Sequence, residues 1–177
     1  SAESPEEMEE IMNIVVVGGG PTGVELSGAI AHMKRFILPK DYPDLDFSKL
    51  NIYLIEGGPN LLGPMSDLAH KKSFDYLNEM GVNIWTNGRV IDYDGKTISL
   101  ADGRTIKTRN LIWSAGVLGN IPEGAVAQEE LQRGNRMKVD RTSKIIGTNN
   151  IYAIGDIASM ETPKYPHGHP QLARVAG

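Results

Sequence analysis

Three glycines after an apolar run form the pattern in this chain that is best suited to chemistry. Gly18, Gly20 and Gly23 give the spacing G-x-G-x-x-G directly after the apolar residues 14–17. At such a turn the backbone N–H groups of the following helix are free, and the helix dipole favours negative charge. The first glycine permits the tight turn, the second lets the backbone approach phosphates, and the third lets helix and strand pack closely. The pattern predicts a pyrophosphate-binding turn, because a purely structural turn explains one glycine but not three at this spacing.

A carboxylate follows the next apolar run. Residues 51–55 predict a second buried strand, and Glu56 comes directly after it. In dinucleotide-binding folds an acid at this place accepts hydrogen bonds from the adenosine ribose hydroxyls. It stands further from the glycines than usual, and the insertion 38–49, which carries two prolines, accounts for the excess. No cation follows in 57–59 to receive a 2′-phosphate, so the sequence predicts NADH rather than NADPH. The alternative is a solvated loop carboxylate.

The elements around these residues predict an α/β fold with a parallel sheet. The run 14–17 is typical of a strand buried on both faces. A helix is predicted over 22–38, and a second one over 66–81, where serine caps the start and glycine the end. Residues 82–85 predict the third strand. The apolar face of the first helix consists of Leu26, Ile30, Met33 and Ile37.

A change of period after the third strand predicts an antiparallel insertion. Residues 89–93, 97–100 and 105–108 are short strand-like runs, and Asp-Gly pairs separate them. Asp-Gly between strands is a strong hairpin signal. Residues 110–113 then return to the main sheet. The predicted fold is therefore a Rossmann-like parallel sheet with a glycine-rich βαβ unit and a three-stranded antiparallel meander as crossover.

Two further stretches carry candidate ligand positions. Ala115 and Gly116 follow the strand 110–113, and their small size would let a flat ring approach the backbone. A strand is predicted over 150–156, and it ends in Gly155 and Asp156. An acid at the carboxyl end of a strand in such a sheet is a usual ligand position.

Composition excludes several classes of function. The chain has 177 residues and a net charge of −4, with basic residues scattered along it, which argues against nucleic acid as a partner. It has no apolar run long enough to span a membrane. Cysteine is absent, so the chain has no disulfide, thiolate metal site or redox dithiol. His167 and His169 are interpreted as loop histidines, and we expect no metal site.

The motifs and their order resemble the two-dinucleotide-binding flavoproteins, and within them type II NADH:quinone oxidoreductases. The resemblance rests on Gly-Gly-Gly-Pro-Thr-Gly-Val-Glu-Leu at 18–26, Leu-Ile-Trp-Ser-Ala-Gly at 111–116 and Tyr-Ala-Ile-Gly-Asp at 152–156. It implies two cofactors, NADH and FAD. Hydride would pass from NADH to FAD, and the electrons would pass to a quinone.

The resemblance also assigns roles to single residues. Pro21 and Thr22 would belong to the NADH-binding turn, and Glu25 would face the nicotinamide near the flavin. Ala115 and Gly116 would line the nicotinamide slot. Gly155 and Asp156 would lie at the FAD, with Asp156 holding its ribityl chain or pyrophosphate. The quinone-contacting motif of the family aligns with 173–177, where Arg174 replaces its first glutamine.

The resemblance divides the chain at residue 117. Residues 1–117 are expected to form the NADH-binding domain, and 118–177 a truncated return segment into an FAD-binding domain. The whole enzyme would lie on the cytoplasmic face of the inner membrane, attached peripherally through a further C-terminal segment. This chain alone is expected to be soluble and inactive. Alternatives are a non-catalytic NADH-binding module or another flavin-dependent pyridine nucleotide reductase.

Overall fold

A computed structural model describes residues 4–124, 126–127 and 131–161. The chain divides into two compact units, Ser1–Ala115 and Gly116–Gly177, and each is described by itself. The assignment of 1–117 to NADH and of 118–177 to FAD stays a prediction. His167, His169 and the stretch 173–177 lie outside the described residues.

Within residues 4–115, the first unit has seven strands and four α-helices. The strands are β1 (Asn13–Val17), β2 (Asn51–Ile55), β3 (Val82–Trp85), β4 (Val90–Tyr93), β5 (Thr97–Leu100), β6 (Thr105–Lys107) and β7 (Asn110–Trp113). The helices are α1 (Pro5–Met12), α2 (Pro21–His32), α3 (Leu38–Asp41) and α4 (Asp67–Glu79), with a π-helix at Met33–Ile37 and a 3₁₀ turn at Phe47–Lys49.

The central sheet is parallel, with the strand order β3-β2-β1-β7. Val17 pairs with Ile55 and with Trp113, and Ile55 pairs with Trp85, so the carboxyl ends of all four strands are level. Val15 and Val16 on β1 are fully buried on opposite faces of the sheet. Helices α2 and α4 cover the face of Val16, since Ala31 and Leu77 belong to its core cluster.

The antiparallel meander β4-β5-β6 covers the other face of the sheet. Ile98 pairs with Ile106 across β5 and β6, and both pack with Val15 and Val17 in a second core cluster. Both Asp-Gly turns have the glycine at positive φ, +95° for Gly95 and +89° for Gly103. The predicted fold class is thus confirmed, including the meander that replaces a crossover helix.

The predicted helix over 22–38 is present, but it is not a regular α-helix over its whole length. Regular α-helix ends at His32, and the π-helix follows. A π turn holds more residues than an α turn, so the apolar face no longer continues in phase. Leu26 and Ile30 pack against the core, whereas Met33 and Ile37 are 42% and 39% exposed.

Helix α1 is fixed to the amino ends of the strands. Arg109, which precedes β7, donates from Nε to Glu10 at 2.7 Å and from Nη1 to Glu7 at 2.9 Å. These bonds raise the pKa of the Arg109 guanidinium, with the bond to Glu10 as the larger cause. The Asn110 side chain also donates to the carbonyl of Ile11 at 2.8 Å. The acidic start of the chain is therefore part of the packed unit.

The second unit contains a two-stranded parallel pair. Strands β8 (Met137–Val139) and β9 (Ala158–Met160) run side by side, and a 3₁₀ turn over Gly155–Ile157 precedes β9. The strand predicted over 150–156 is wrong, since Tyr152 forms only an isolated bridge with Lys144. Ile154 is still extended, and Gly155, with φ +74°, turns the chain into the 3₁₀ turn Gly155–Ile157.

Candidate functional site

The turn over residues 18–23, here called the glycine turn, joins β1 to α2 at the carboxyl edge of the sheet. Gly18 has φ +113°, and its N–H donates to the carbonyl of Ile55 at 2.8 Å. A Cβ at Gly18 would lie 2.7 Å from the backbone nitrogen of Ala115. Only glycine fits both the conformation and the space.

Gly23 brings the first turn of α2 against the strand that it leaves. A Cβ at Gly23 would overlap the carbonyl oxygen of Gly18 and would lie 2.9 Å from Ser114 Oγ. Ser114 Oγ donates to the carbonyl of Val17 at 2.9 Å, which joins the end of β7 to the end of β1. The sequence did not reveal this role of Ser114, because it depends on which strands are neighbours.

Gly20 and the start of α2 present backbone donors to open space. A Cβ at Gly20 would meet no atom within 4 Å. Gly20 has no side chain to cap α2, and Pro21 at the first helical position has no N–H. Within the described residues, no group accepts from the N–H of Gly20, Thr22 or Gly23. Unpaired N–H groups at the start of a 12-residue helix suit an anion.

The half-buried carboxylate of Glu56 lies directly against the glycine turn. Its Oε2 accepts from Gly19 N–H at 2.6 Å, and its Oε1 accepts from Gly58 N–H at 2.6 Å. The parallel pairing of β1 and β2 causes this proximity, since it makes Val17 and Ile55 level. The part played by Gly19 was missed, although the run of three glycines contained it. A Cβ added at Gly19 would lie 2.7 Å from Leu61 Cδ2, so this position has little space for a side chain.

A cleft of about 400 Å³ opens beside the loop that follows Glu56. Pro59 and Asn60 line one side, and α4 lines the other. Lys71 on α4 lies in this cleft, and its Nζ contacts Asp75 Oδ2 at 2.6 Å. The charge of this lysine is therefore balanced by a neighbouring carboxylate.

Ala115 lies against the glycine turn and packs with the second core cluster. The Glu25 side chain is exposed on α2, and it has no hydrogen-bond partner among the described residues. Trp113 is 59% exposed, and its Nε1 donates to the carbonyl of Ala115 at 2.7 Å. Gly116 begins the second unit, with φ +76°. The first unit thus brings together the glycine turn, Glu56 and Ala115.

Gly155 and Asp156 lie in the second unit, at an exposed turn. Arg136 Nε donates to the backbone carbonyl of Asp156 at 3.0 Å, which fixes the backbone and leaves the carboxylate on the surface. Among residues 4–124, 126–127 and 131–161, no cluster of three or more acidic, histidine or cysteine side chains suits a metal ion. In the same residues, no helix is long and apolar enough to cross a bilayer.

Comparison with known proteins places these features in a family. The model of the pyridine nucleotide-disulphide oxidoreductase family matches residues 1–177. A type II NADH:quinone oxidoreductase of Mycobacterium tuberculosis is 32% identical over 167 residues, which is 90% of this chain and 36% of that protein. A type II NADH:quinone oxidoreductase of Haemophilus influenzae is 32% identical over 152 residues, 86% of this chain and 34% of that protein.

Solved structures agree with this relationship. NDH2 of Plasmodium falciparum, solved in complex with NADH, has a TM-score of 0.70 and 30% identity, over 89% of this chain and 34% of that one. A ferredoxin reductase of Rhodopseudomonas palustris, with a TM-score of 0.63 and 19% identity, shares the fold. The chain spans about a third of the length of the curated relatives that it matches. From the match over its whole length, the chain belongs to the pyridine nucleotide-disulphide oxidoreductase family.

Proposed function

We propose that the first unit binds NADH, with the pyrophosphate at the glycine turn and the adenosine ribose at Glu56. The observation that carries this proposal is the contact between the Glu56 carboxylate and the Gly19 N–H, at 2.6 Å. It puts an acceptor for ribose hydroxyls beside a turn whose next N–H groups have no acceptor among the described residues.

The same arrangement favours NADH over NADPH. A 2′-phosphate would lie beside the Glu56 carboxylate, and the two negative charges would repel each other. Gly57, Gly58 and Pro59 offer no positive side chain in return, and Lys71 in the adjoining cleft is paired with Asp75. The unmodified ribose instead supplies two hydroxyl donors for the carboxylate.

For the whole protein we propose a flavin-dependent NADH:quinone oxidoreductase that acts at the membrane surface. FAD, when bound, would accept the hydride of NADH, and a quinone would take up the two electrons with two protons. The exposed carboxylate of Asp156 fits a role in holding the polar part of FAD, and Ala115 and Gly116 leave space for the nicotinamide ring. Glu25 would lie near that ring and modulate its surroundings electrostatically. Since quinones dissolve in lipid, a peripheral position on a membrane suits this substrate, and the proposed place is the cytoplasmic side of the inner membrane.

Calorimetric titration of the 177-residue chain with NADH and NADPH tests the nucleotide assignment. We expect NADH to bind more tightly. A hydrogen bond to a charged group contributes about 1.5–3 kcal/mol, so the net loss of even one such bond in Glu56→Ala should weaken NADH binding by about one to two decades. Glu79→Ala, which removes an exposed carboxylate at the far end of α4, should leave the affinity unchanged. Equal affinity for the two nucleotides would overturn the assignment.

The oxidoreductase assignment has its own test. Purified whole protein, supplied with FAD, NADH and a short-chain quinone, should oxidise NADH and reduce the quinone in equal amounts. The 177-residue chain alone should bind NADH but show no flavin absorbance and no quinone reduction. If the whole protein binds NADH but transfers no electrons to any acceptor, a non-catalytic NADH-binding module is the better description.

A further inference from the structure

The Glu56 carboxylate has two backbone partners before any nucleotide is considered. Oε2 accepts from Gly19 N–H and Oε1 accepts from Gly58 N–H, each at 2.6 Å. Gly58 belongs to the loop of Glu56 itself, whereas Gly19 belongs to the glycine turn. The carboxylate therefore joins the end of β2 to the segment that is proposed to hold the pyrophosphate.

Gly19 is fixed at both of its polar groups. Its N–H donates to Glu56, and its carbonyl accepts from Leu62 N–H at 2.7 Å. The C=O of Gly19 and the N–H of Gly20 belong to one planar trans peptide and point in opposite directions. Fixing Gly19 therefore also fixes the direction of the Gly20 N–H, which has no acceptor among the described residues.

The backbone of Glu56 is held in place by hydrogen bonds to β3 and to the turn that follows it. Its backbone N–H donates to the carbonyl of Trp85 at 2.8 Å, and its carbonyl accepts from Gly88 N–H at 2.8 Å. Asn87 N–H donates to the carbonyl of Gly58, also at 2.8 Å. The turn after β3 thus holds both ends of the short segment 56–58, so the position of the carboxylate follows from the sheet and not from a mobile loop.

We infer that Glu56 is a positioning residue for the pyrophosphate site as well as the acceptor for the ribose. A carboxylate has about four lone-pair positions on its two oxygens. Two accept from Gly19 and Gly58, and two remain for the ribose hydroxyls, so both functions operate at once. This inference rests on the proposed function, since it assumes that the glycine turn binds the pyrophosphate.

Two nucleotides that differ only in the ribose separate the two functions. ADP carries the pyrophosphate and both hydroxyls, whereas 2′,3′-dideoxy-ADP carries the pyrophosphate and neither hydroxyl. Calorimetry on the 177-residue chain would give the affinity of each for the wild type, Glu56→Ala and Glu56→Gln, with Glu79→Ala as the control for lost charge. Circular dichroism and thermal unfolding would establish that each variant is folded.

In the wild type, ADP should bind more tightly than the dideoxy nucleotide. In Glu56→Ala the two should bind equally, and the dideoxy nucleotide should bind about tenfold more weakly than it binds the wild type, the order of effect of one charged hydrogen bond. Glu56→Gln, which keeps one neutral acceptor for Gly19, should give an intermediate loss. Glu79→Ala should match the wild type.

Failure of the inference and failure of the proposed function have different signatures. If Glu56→Ala weakens ADP but leaves the dideoxy nucleotide unchanged, Glu56 serves the ribose alone and the inference is overturned. If the wild type binds neither nucleotide, the proposed function fails and the inference fails with it.

Amide hydrogen exchange of the ligand-free wild type is a second test that needs no variant. The Gly19 amide should be protected, and fast exchange would overturn the inference.

Discussion

The amino and carboxyl edges of the parallel sheet differ in how they use their polar groups. At the amino edge, the protein pairs them with one another. Asn13, only 5% exposed, donates to the carbonyl of Lys107 at 2.8 Å and accepts from the Asn51 side chain at 3.0 Å. The fully buried Thr108 hydroxyl donates to the carbonyl of Asn13 at 2.6 Å and accepts from Asn110 N–H at 2.8 Å.

At the carboxyl edge, donors are left without protein acceptors. The N–H groups of Gly20, Thr22 and Gly23 have no acceptor within the part of the chain that the structure describes. Gly18 and Gly19 of the same turn differ, since their N–H groups donate to the carbonyl of Ile55 and to the carboxylate of Glu56. We call the amino edge the closed edge and the carboxyl edge the open edge. The closed edge contributes to stability, because its buried polar groups are hydrogen-bonded within the protein. An open edge contributes to binding, so substitutions at the two edges should affect different measurements.

The largest effect is expected at the open edge, from Gly20→Val. The new side chain would meet no atom of the protein within 4 Å, but it would occupy the space proposed for the phosphates. NADH affinity should fall at least about 100-fold, which is about 2.7 kcal/mol, with little change in Tm. Calorimetry and thermal unfolding measure the two quantities.

Gly28→Ala on the same helix is the matched control for Gly20→Val. Its Cβ would lie 3.5 Å from Leu77 Cδ2, an ordinary contact, so neither affinity nor stability should suffer. A folded Gly20→Val variant with wild-type affinity would show that the glycine turn is not the pyrophosphate site.

At the closed edge, Thr108→Val should give the opposite result. It keeps the shape of the side chain but removes the hydroxyl that pairs with Asn13 and Asn110. The free energy of unfolding should fall by about 1–3 kcal/mol, because buried polar groups lose their partner. NADH affinity should not change. Chemical denaturation measures the loss, and Thr105→Val at an exposed position of β6 is the control. A parallel loss of NADH affinity would mean that the two edges are not independent.

The smallest effect is expected from Asp94, in the turn between β4 and β5, and it should depend on pH. This turn is connected to the amino edge of the sheet, because Thr108 N–H donates to the carbonyl of Lys96. Hydrogen bonds from the N–H groups of Lys96 and then Thr97 lower the pKa of Asp94 below its usual 3.8. A lowered folded-state pKa stabilises the fold above the unfolded value, and this contribution disappears as pH falls through the folded value. Asp94→Ala should therefore lower Tm near pH 7 by no more than about 3 °C, and the difference should vanish in acid. Thermal unfolding across pH, with Asp92→Ala as the control for net charge, checks this. A gap that persists in strong acid would rule out the carboxylate as its cause.

The sequence predicted the elements whose causes are local. The Asp-Gly pairs fixed the turns of the meander, and Ser66 and Gly81 marked the ends of α4, with Ser66 Oγ accepting from Ala69 N–H at 3.4 Å. The parallel direction of the strands was also predicted, because a glycine-rich βαβ unit joins two parallel strands.

Features that depend on distant neighbours were not predictable in this way. The π-helix after His32 interrupts an apolar period that by itself predicts a continuous α-helix. The short strand β9 is stabilised by pairing with β8 and not by its own pattern. At the site, the bonds of Ser114 to Val17 and of Glu56 to Gly19 arise from strands that are separated in sequence and adjacent in the sheet.

The level ends of the four strands have an optical consequence. The only two tryptophans of the chain, Trp85 and Trp113, end the outermost strands β3 and β7, so they stand on either side of the proposed nucleotide site. Trp85 is held edge-on to Tyr53, with ring centroids 5.5 Å apart, whereas Trp113 is exposed. Reduced nicotinamide absorbs where tryptophan emits, so a bound NADH would accept excitation energy from both indoles. The protein thus carries an intrinsic fluorescent reporter, with one donor in a packed environment and one in contact with solvent.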